Sequence, residues 1–304
     1  MDRLGPIRTV DDDALRAWPL PLPGADGDKE IRGHVLILGG SREMPGAIIL
    51  AATAALRAGA GKLTIATGAS VAQLVALAIP EARVLGLRET PEGGFARDST
   101  DMLDPLADKV DAVLVGPGMQ DKAATAALVR ALLPRLDGSA VVLDACAMGI
   151  LVQPDARGGA AGRLRFPGPV IVTPHAGEMA HLTGAAKETI LADPDRHARS
   201  AAHDWNAVVA LKGARTVIAT PAGALWQHEG GNVGLASSGS GDTLAGIICG
   251  LAARGASLEQ ATCWGVALHA RAGERLAARM GLLGYLAREI PGEVPALMNL
   301  LAPR

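Results

Sequence analysis

Six short, largely apolar runs recur along this chain, with helical segments between them. The runs are VLILGG (35–40), KLTIAT (62–67), AVLVGPG (112–118), VVLDA (141–145), VIVTP (170–174) and VVALKG (208–213). Strands that are apolar on both sides are typical of parallel sheets covered by helices on both faces. The sequence therefore predicts an α/β fold, a three-layer α/β/α sandwich with a mostly parallel central sheet.

Helical patterns fill the intervals between these runs. They cover 46–58, 70–78, 121–133 and 177–183, with two longer segments near 193–206 and 240–254. The segment 208–228 predicts a C-terminal hairpin, with KGART as its turn and TVIATPAG as its returning strand. Because open α/β sheets bind ligands at the carboxyl ends of their strands, we expect the functional site in the loops that follow them.

The 304 residues are interpreted as one domain over 30–304, preceded by an N-terminal arm over 1–29. The arm contains DDD and the Pro-rich stretch WPLPLPG, and it could brace the domain or a neighbouring subunit. Aromatic residues make up only 2% of a chain that is 49% hydrophobic and holds 38 glycines. A core of small aliphatic side chains, with closely packed backbones, follows from that composition.

Charge and hydrophobic run length exclude several classes of protein. Twenty-nine basic and 31 acidic residues give a net charge of -2 without a basic tract, which argues against nucleic-acid binding. The start, MDRLGPIRTV, carries charge where a secretory signal needs an apolar core. Apolar runs also stop short of the roughly 20 residues that a membrane span requires. We expect a soluble, cytoplasmic protein.

The most informative stretch is ASSGSGDTL (236–244), followed directly by the apolar run AGIICGLAA. A helix that starts here offers unpaired N–H groups and the positive end of its dipole to an anion, most simply a phosphate. Gly239 and Gly241 permit a tight turn and close approach, and Asp242 can take a proton. The pattern favours phosphoryl chemistry; the alternative is an ordinary turn with Asp242 as a helix cap.

A second glycine-rich loop, at 39–41, follows the first strand. Its spacing is not the dinucleotide fingerprint G-x-G-x-x-G, and no acidic residue follows at the required distance, which argues against a Rossmann hydride-transfer enzyme. A ligand could lie against Gly46 and Ala47, where no side chain intrudes. The alternative is close packing of helix on sheet.

Three further polar residues stand at strand ends. His175, with Glu178 after it, could bind substrate or share protons, or be an ordinary hydrogen-bonding residue. Lys212 could hold a phosphate as a point charge, or sit in a surface turn. Asp144 could orient a magnesium-bound water or substrate, or cap the next turn.

The sequence predicts no protein metal site and no disulfide. The cysteines Cys146, Cys249 and Cys263 form no C-x-x-C pair; Cys249 is expected to pack in a helix, and Cys146 could be a reactive thiol. Three further histidines are expected on solvated helix faces: His181, His197 and His203. No two of them have the spacing of metal ligands together with a carboxylate.

Taken together, these motifs resemble the ADP-dependent NAD(P)H-hydrate dehydratase family of the ribokinase-like superfamily. The resemblance covers about 30–300, and its segments occur in the family's order: GHVLILGGSREMPGAIILAATAALRAGAGK, VLVGPG, VVLDA, VIVTPHAGEM, VVALKGARTVIA and GNVGLASSGSGDTLAGIICGLAARG.

The resemblance implies two sets of contacts. The hydrated dinucleotide would be contacted by Ala47, Gly118, His175 and Asp242. The adenine nucleotide would be contacted by Lys212, Gly213, Ala214, Arg215, Thr216, Gly239, Ser240 and Gly241.

Three positions depart from the family pattern. Ser238 replaces the first of two glycines in the anion loop, Cys146 replaces the second carboxylate of a D-A-D loop, and Val233 stands where proline is common. The second departure leaves Asp144 as the single carboxylate of that loop.

The activity implied is ADP-dependent dehydration of the S epimer of hydrated NADH or NADPH, which gives AMP and phosphate. Asp242 would be the base and Mg²⁺ would accompany ADP. A separate NAD(P)H-hydrate epimerase would be the functional partner, and a homo-oligomer, with a tetramer as one form, is expected. Two alternatives stay open: a ribokinase-like small-molecule kinase of the thiamine-precursor type, and a catalytically silent nucleotide-binding regulator.

Overall fold

A computed structural model of the chain describes residues 6–24, 28–152 and 164–302. Its strands are β1 (Ile7–Thr9), β2 (His34–Leu38), β3 (Lys62–Gly68), β4 (Arg83–Leu87), β5 (Ala112–Val115), β6 (Ala140–Leu143), β7 (Val170–Val172), β8 (Ala207–Leu211), β9 (Arg215–Ala219) and β10 (Leu225–Glu229). They form a single sheet of order β1-β10-β9-β8-β7-β6-β5-β2-β3-β4, in which β9 alone runs against its neighbours.

Helices cover both faces of this sheet. They are α1 (Asp12–Ala17), α2 (Pro45–Arg57), α3 (Ala72–Ala78), α4 (Asp104–Ala107), α5 (Lys122–Leu132), α6 (Ala176–Thr183), α7 (Lys187–Ala192), α8 (Pro194–Trp205), α9 (Ser240–Ala253), α10 (Leu258–Met280) and α11 (Ile290–Leu301). In the described part of the chain, no helix is both long and apolar enough to cross a membrane.

The core lies on both sides of the sheet because the central strands carry buried apolar side chains on both faces. In β2, Val35 and Ile37 pack into the cluster formed with α2, α9, α10 and α11. Leu36 and Leu38, which point the other way, join a second cluster with α5 and α8. The predicted three-layer sandwich with a mostly parallel sheet is confirmed.

Glycine lets α9 lie directly against α2. A Cβ added at Gly246 would stand 2.2 Å from the carbonyl oxygen of Ala51, and one at Gly250 would stand 2.4 Å from that of Ala55. The two helices therefore touch through backbone, which leaves little room for α9 to shift relative to α2.

The strand order reverses between β2 and β5. From β2 the chain moves outward through β3 and β4, then returns to place β5 on the other side of β2. The loops after these two strands meet in the resulting crevice, where Gly40 N–H donates to the Pro117 carbonyl oxygen at 2.7 Å. Ligands of open α/β sheets bind at such a reversal.

The predicted hairpin is confirmed as β8 and β9, which are antiparallel. The returning strand is shorter than predicted, because it ends at Ala219 and a turn carries the chain into β10. Sequence analysis missed the strands β1, β4 and β10, the short helices α1, α4 and α7, and the helices α10 and α11.

Part of the N-terminal arm belongs to the sheet. Strand β1 pairs in parallel with β10. The following segment is tied to α10, since Gln260 and Trp264 both donate to the Trp18 carbonyl oxygen, at 3.1 and 2.8 Å. The ring of Trp18 also stacks on Trp226 with centroids 5.6 Å apart.

Candidate active site

The first turn of α9 is the centre of the site. Gly239 caps this helix with φ of +87°, a conformation that favours glycine. A Cβ at Gly239 would also stand 2.3 Å from the Leu50 side chain. The Gly-rich sequence before the helix is thus needed for the turn. In the first turn, the Ser240 N–H donates to the Ser237 carbonyl oxygen at 3.2 Å, and the N–H groups of Gly241 and Asp242 are left open to an anion.

Asp242, in this first turn, has an unusual ionisation equilibrium. Burial and the nearby negative charge of Asp144 raise the pKa of Asp242 to about 7, against the opposing effect of the Lys212 ammonium. A carboxylate that exchanges its proton near neutral pH has the property of a general base or acid.

Lys212 lies near Asp242 and forms ion pairs with two other carboxylates. Its Nζ lies 3.4 Å from Asp144 Oδ1 and 3.8 Å from Glu178 Oε2. Burial lowers the pKa of Lys212, but the charges of Asp144 and Glu178 outweigh burial, and the net pKa is raised. Thr173 donates its hydroxyl to Asp144 at 2.5 Å, which fixes that carboxylate. Lys212 is therefore a charged, mostly buried cation rather than a lysine of an open surface turn.

His175 caps α6. Its Nδ1 accepts hydrogen bonds from the N–H groups of Gly177 and Glu178 at 3.0 and 3.1 Å, and the Glu178 carboxylate accepts from the His175 N–H at 2.8 Å. Because Nδ1 accepts, the ring hydrogen is on Nε2. Nδ1 is thus used in capping the helix, as the hydrogen-bonding alternative expects. Nε2, which lies 3.6 Å from Glu178 Oε2, is the ring nitrogen that could meet a ligand.

A cavity of about 700 Å³ opens beside the start of α9. It is bounded by the β8–β9 turn, the loop after β10, and α10. Of the predicted nucleotide-contacting residues, it is lined by Lys212, Gly213, Ala214, Thr216, Ser240 and Gly241. Two others do not line it. The Arg215 side chain pairs with Asp195 at 3.0 Å, and Gly239 packs against the Leu50 side chain.

A second cavity, of about 550 Å³, lies on the other side of His175, which lines both. Its wall includes Met148, Leu182 and Cys146, whose thiol pKa is raised by burial. Where the family pattern has a second carboxylate, this chain thus offers a neutral thiol. Asp144 alone of that loop is linked to Lys212.

The remaining predicted substrate residues, Ala47 and Gly118, adjoin one another in the crevice between β2 and β5. Gly118 has φ of +66°, and a Cβ there would stand 2.8 Å from the Cβ of Ala47 and 2.6 Å from the Met44 carbonyl oxygen. A Cβ at Gly46 would meet open space. Backbone is therefore open to a ligand at Gly46, whereas Gly118 is packed closely against Met44 and Ala47.

Sequence analysis missed three polar residues that line the larger cavity: His228, Asn232 and His269. His228 and His269 belong to no motif of recognisable spacing, whereas Asn232 lies in the segment that begins GNVGLASSGSGDTL. The one available signal for His269 is a lone histidine within the apolar helical run GVALHARAG.

Within the described ranges, no group of three or more His, Cys, Asp or Glu side chains could hold a metal ion. Two carboxylates at the site, those of Asp144 and Glu178, form ion pairs with Lys212.

Comparison with protein families matches residues 35–296 to the NAD(P)H-hydrate dehydratase family. The chain is 51% identical to the ADP-dependent (S)-NAD(P)H-hydrate dehydratase of Xanthomonas campestris pv. campestris, covering 97% of both chains. It is 42% identical to a bifunctional NAD(P)H-hydrate repair enzyme of Moorella thermoacetica, over 93% of this chain and 53% of that protein. The chain thus spans about half the length of this bifunctional relative.

Two solved structures share the fold over nearly the whole chain. One is the ADP/ATP-dependent NAD(P)H-hydrate dehydratase of Bacillus subtilis co-crystallized with ATP and Mg²⁺, with 30% identity, 97% and 99% coverage and a TM-score of 0.78. The other is a ribokinase-like superfamily protein of Enterococcus faecalis, with 28% identity, 98% and 97% coverage and a TM-score of 0.79. The predicted ribokinase-like fold is confirmed.

Proposed function

Because the chain belongs to the NAD(P)H-hydrate dehydratase family, we propose that it catalyses the ADP-dependent dehydration of the S epimer of hydrated NADH and NADPH. The products are NAD(P)H, AMP and phosphate. The observation that carries the proposal is the Asp242 carboxylate, with its pKa raised to about 7, in the first turn of a helix whose free N–H groups suit a phosphate.

Asp242 acts first, as a general base. The hydrated nicotinamide ring carries a hydroxyl at C6, and hydroxide is a poor leaving group. Asp242 takes the proton of this hydroxyl as its oxygen attacks the terminal phosphoryl group of ADP, and the bond from that phosphorus to the bridging oxygen breaks to release AMP.

The first turn of α9 and Lys212 stabilise the charge that develops on the transferred group. The Gly241 N–H and the helix dipole face the phosphoryl oxygens, and the Lys212 ammonium lies beside the same turn. The Ser240 N–H already donates to the Ser237 carbonyl oxygen at 3.2 Å. The position of Lys212 supports this role, since a Cβ at Gly241 would stand 3.5 Å from its Nζ.

Elimination then follows from the chemistry of the substrate. The lone pair of the ring nitrogen expels phosphate from C6, and a proton leaves the adjacent carbon C5, which restores the ring double bond. Atoms balance with the loss of one hydroxyl and one proton from the hydrated ring, and the hydroxyl oxygen leaves in phosphate.

The protein residues fit a magnesium ion that arrives with the nucleotide rather than one held in a protein cage. Mg²⁺ is commonly bound by one or two carboxylates together with substrate phosphates. Asp144 would supply a carboxylate here, and Thr173 already holds it in place. When bound, the ion would neutralise charge on the phosphates.

We assign the 700 Å³ cavity to the adenine nucleotide and the crevice of Ala47 and Gly118, together with His175, to the hydrated dinucleotide. The lining of the cavity by Lys212 and the adjoining turn supports the first assignment. The open backbone at the crevice supports the second. Backbone groups of 213–216, rather than the paired Arg215 side chain, would meet the nucleotide.

A separate NAD(P)H-hydrate epimerase is the proposed partner, because it would convert the R epimer into the form used here. The existence of bifunctional relatives about twice as long supports a coupled second activity. We also propose that the protein acts in the cytoplasm as a homo-oligomer. The exposed apolar residues Met280, Leu282 and Leu283 support self-association.

The test is to incubate the purified protein with hydrated NADH and ADP while following NADH absorbance and AMP release. We expect NADH and AMP to form in equal amounts. ATP in place of ADP measures donor preference. Phosphorylation of a thiamine-precursor alcohol without NADH recovery would instead identify a small-molecule kinase, and nucleotide binding without any turnover would identify a silent regulator.

A further inference from the structure

His269 reaches from α10 to the first residue of α9. Its Nε2 lies 3.0 Å from the carbonyl oxygen of Ser240 and 3.0 Å from the Ser240 hydroxyl oxygen. Ser240 is only 4% exposed, and both residues line the 700 Å³ cavity. The contact therefore joins the two helices at the point where a nucleotide phosphate would approach.

The carbonyl contact determines which ring nitrogen carries the hydrogen. A carbonyl oxygen can only accept, so His269 Nε2 must donate to it. Burial lowers the pKa of His269 to about 4, with the Lys212 charge acting in the same direction and the Ser240 hydrogen bond opposing it. The ring is thus neutral near pH 7 and its single N–H hydrogen is on Nε2.

This tautomer fixes the direction of the Ser240 hydroxyl. Nε2 bears a hydrogen and has no lone pair to offer, so Ser240 Oγ can only accept from it. The hydroxyl hydrogen is then available to another acceptor. In 6–24, 28–152 and 164–302, Ser240 Oγ has no other hydrogen-bond partner.

The surroundings of that hydroxyl select an anion as its acceptor. Gly241 and Lys212 line the cavity at the same place, and the turn presents N–H groups. We propose that His269 is a positioning residue: by donating to Ser240, it leaves the Ser240 hydroxyl to donate to a phosphate of ADP. This inference rests on the proposed function for the identity of the nucleotide.

The experiment measures ADP affinity by calorimetry for Ser240→Ala, His269→Leu and the double variant. A hydrogen bond to a charged group contributes enough that we expect each single variant to lose about tenfold or more in affinity. The double variant should bind ADP little more weakly than the weaker-binding single variant, because both changes act through the same Ser240 hydroxyl. Adenosine, which lacks phosphate, should bind all of them equally.

Two further variants separate positioning from folding. His269→Gln keeps an N–H that can donate to the Ser240 carbonyl, and it should recover most of the ADP affinity. Gln260→Leu is the matched control, since Gln260 lies on the same helix and donates to backbone carbonyls of 18 and 19, away from the cavity. It should lower the melting temperature and leave ADP affinity unchanged.

Additive losses in the double variant, or wild-type ADP affinity in a folded His269→Leu protein, would overturn the inference. An equal loss of adenosine affinity would do the same, because it would show a general distortion of the cavity. Turnover of hydrated NADH by the wild-type protein is measured alongside. If the wild type binds ADP but does not dehydrate, the proposed function fails while the hydrogen-bond network is still tested.

Discussion

At the scale of single residues, the site depends on a competition between burial and charge. Asp242 is pushed toward its neutral form by burial and by Asp144, while Lys212 favours its ionised form. Asp144 itself is held by Thr173 and Lys212. Because Asp144 is held in place while Asp242 titrates near neutral pH, we assign them different roles. Asp144 orients the groups bound at the site, and Asp242 exchanges a proton.

The substitution Asp242→Asn tests the assigned base. Asparagine keeps the shape and the oxygen of the side chain, so folding and ADP binding should persist, but it cannot accept a proton. A positioned base contributes a factor of roughly 10² to 10⁴, and we expect ADP-dependent NADH recovery to fall by at least that much. The matched control is Asp193→Asn at the cap of α8, which should stay fully active. Near-wild-type turnover by Asp242→Asn would refute the mechanism.

The pH dependence of the rate follows from the same group. A base acts when deprotonated, and the pKa of Asp242 is about 7. We therefore expect kcat/KM for hydrated NADH to be level above pH 7 and to fall about tenfold per pH unit below it. Initial rates at saturating ADP from pH 5.5 to 9 measure this. A profile flat down to pH 5.5 would mean that another group takes the proton.

Replacement of His175 separates substrate contact from helix capping. His175→Ala should reduce turnover and leave ADP affinity largely intact, but it also removes the cap of α6, at a cost of about 1 kcal/mol. His175→Asn supplies a good cap without the imidazole. Both variants should lose turnover if the ring contacts substrate, whereas recovery in His175→Asn would assign the residue to capping alone.

At the scale of secondary-structure elements, the position of α9 depends on its glycines. The helix start can present N–H groups to a ligand because the rest of the helix lies in backbone contact with α2. Sequence patterns predicted where α9 begins, from the turn-forming glycines, and its apolar length. The pairing with α2 was not predictable, since it depends on which small residues face each other across two segments far apart in sequence.

Gly246→Ala measures this contact. Helix propensity alone would favour alanine by about 1 kcal/mol. The added Cβ would stand 2.2 Å from the Ala51 carbonyl oxygen, however, and overpacking costs about 1 to 3 kcal/mol. We expect net destabilisation in urea unfolding together with reduced turnover. Gly292→Ala in α11, where the Cβ meets open space, is the control and should be neutral or stabilising.

At the scale of the whole molecule, one cavity is assembled from three distant parts of the chain. The β8–β9 turn, the loop after β10 and α10 all border it. The N-terminal arm supports the far side of this unit, since β1 pairs with β10 and Val10 accepts a hydrogen bond from His228 at 2.7 Å. A ligand bound in this cavity should therefore stabilise the whole fold against unfolding, rather than order a single loop.

ADP and AMP are expected to bind the native protein with millimolar or better affinity and to raise its melting temperature. Ligand at 100 times its Kd stabilises the native state by about 2.7 kcal/mol, which corresponds to several degrees. Differential scanning fluorimetry with increasing nucleotide measures the shift. The absence of both a thermal shift and calorimetric heat would contradict the assignment of the cavity.

The sequence by itself determined the layer architecture and the chemistry at strand ends. Apolar runs without alternation require a sheet covered on both faces, and glycines before α9 require a tight turn; both are local properties of neighbouring residues. Asp242, Lys212 and His175 were therefore predicted as candidate site residues from their positions at element boundaries.

Only the tertiary structure decided which groups meet. The raised pKa of Asp242 requires burial and Asp144, almost a hundred residues away, and the tautomer of His269 is fixed by a carbonyl on a different helix. The addition of β1 to the far edge of the sheet likewise depends on β10. Burial, charge proximity and edge pairing are properties of the folded chain as a whole, because they depend on residues that no local pattern brings together.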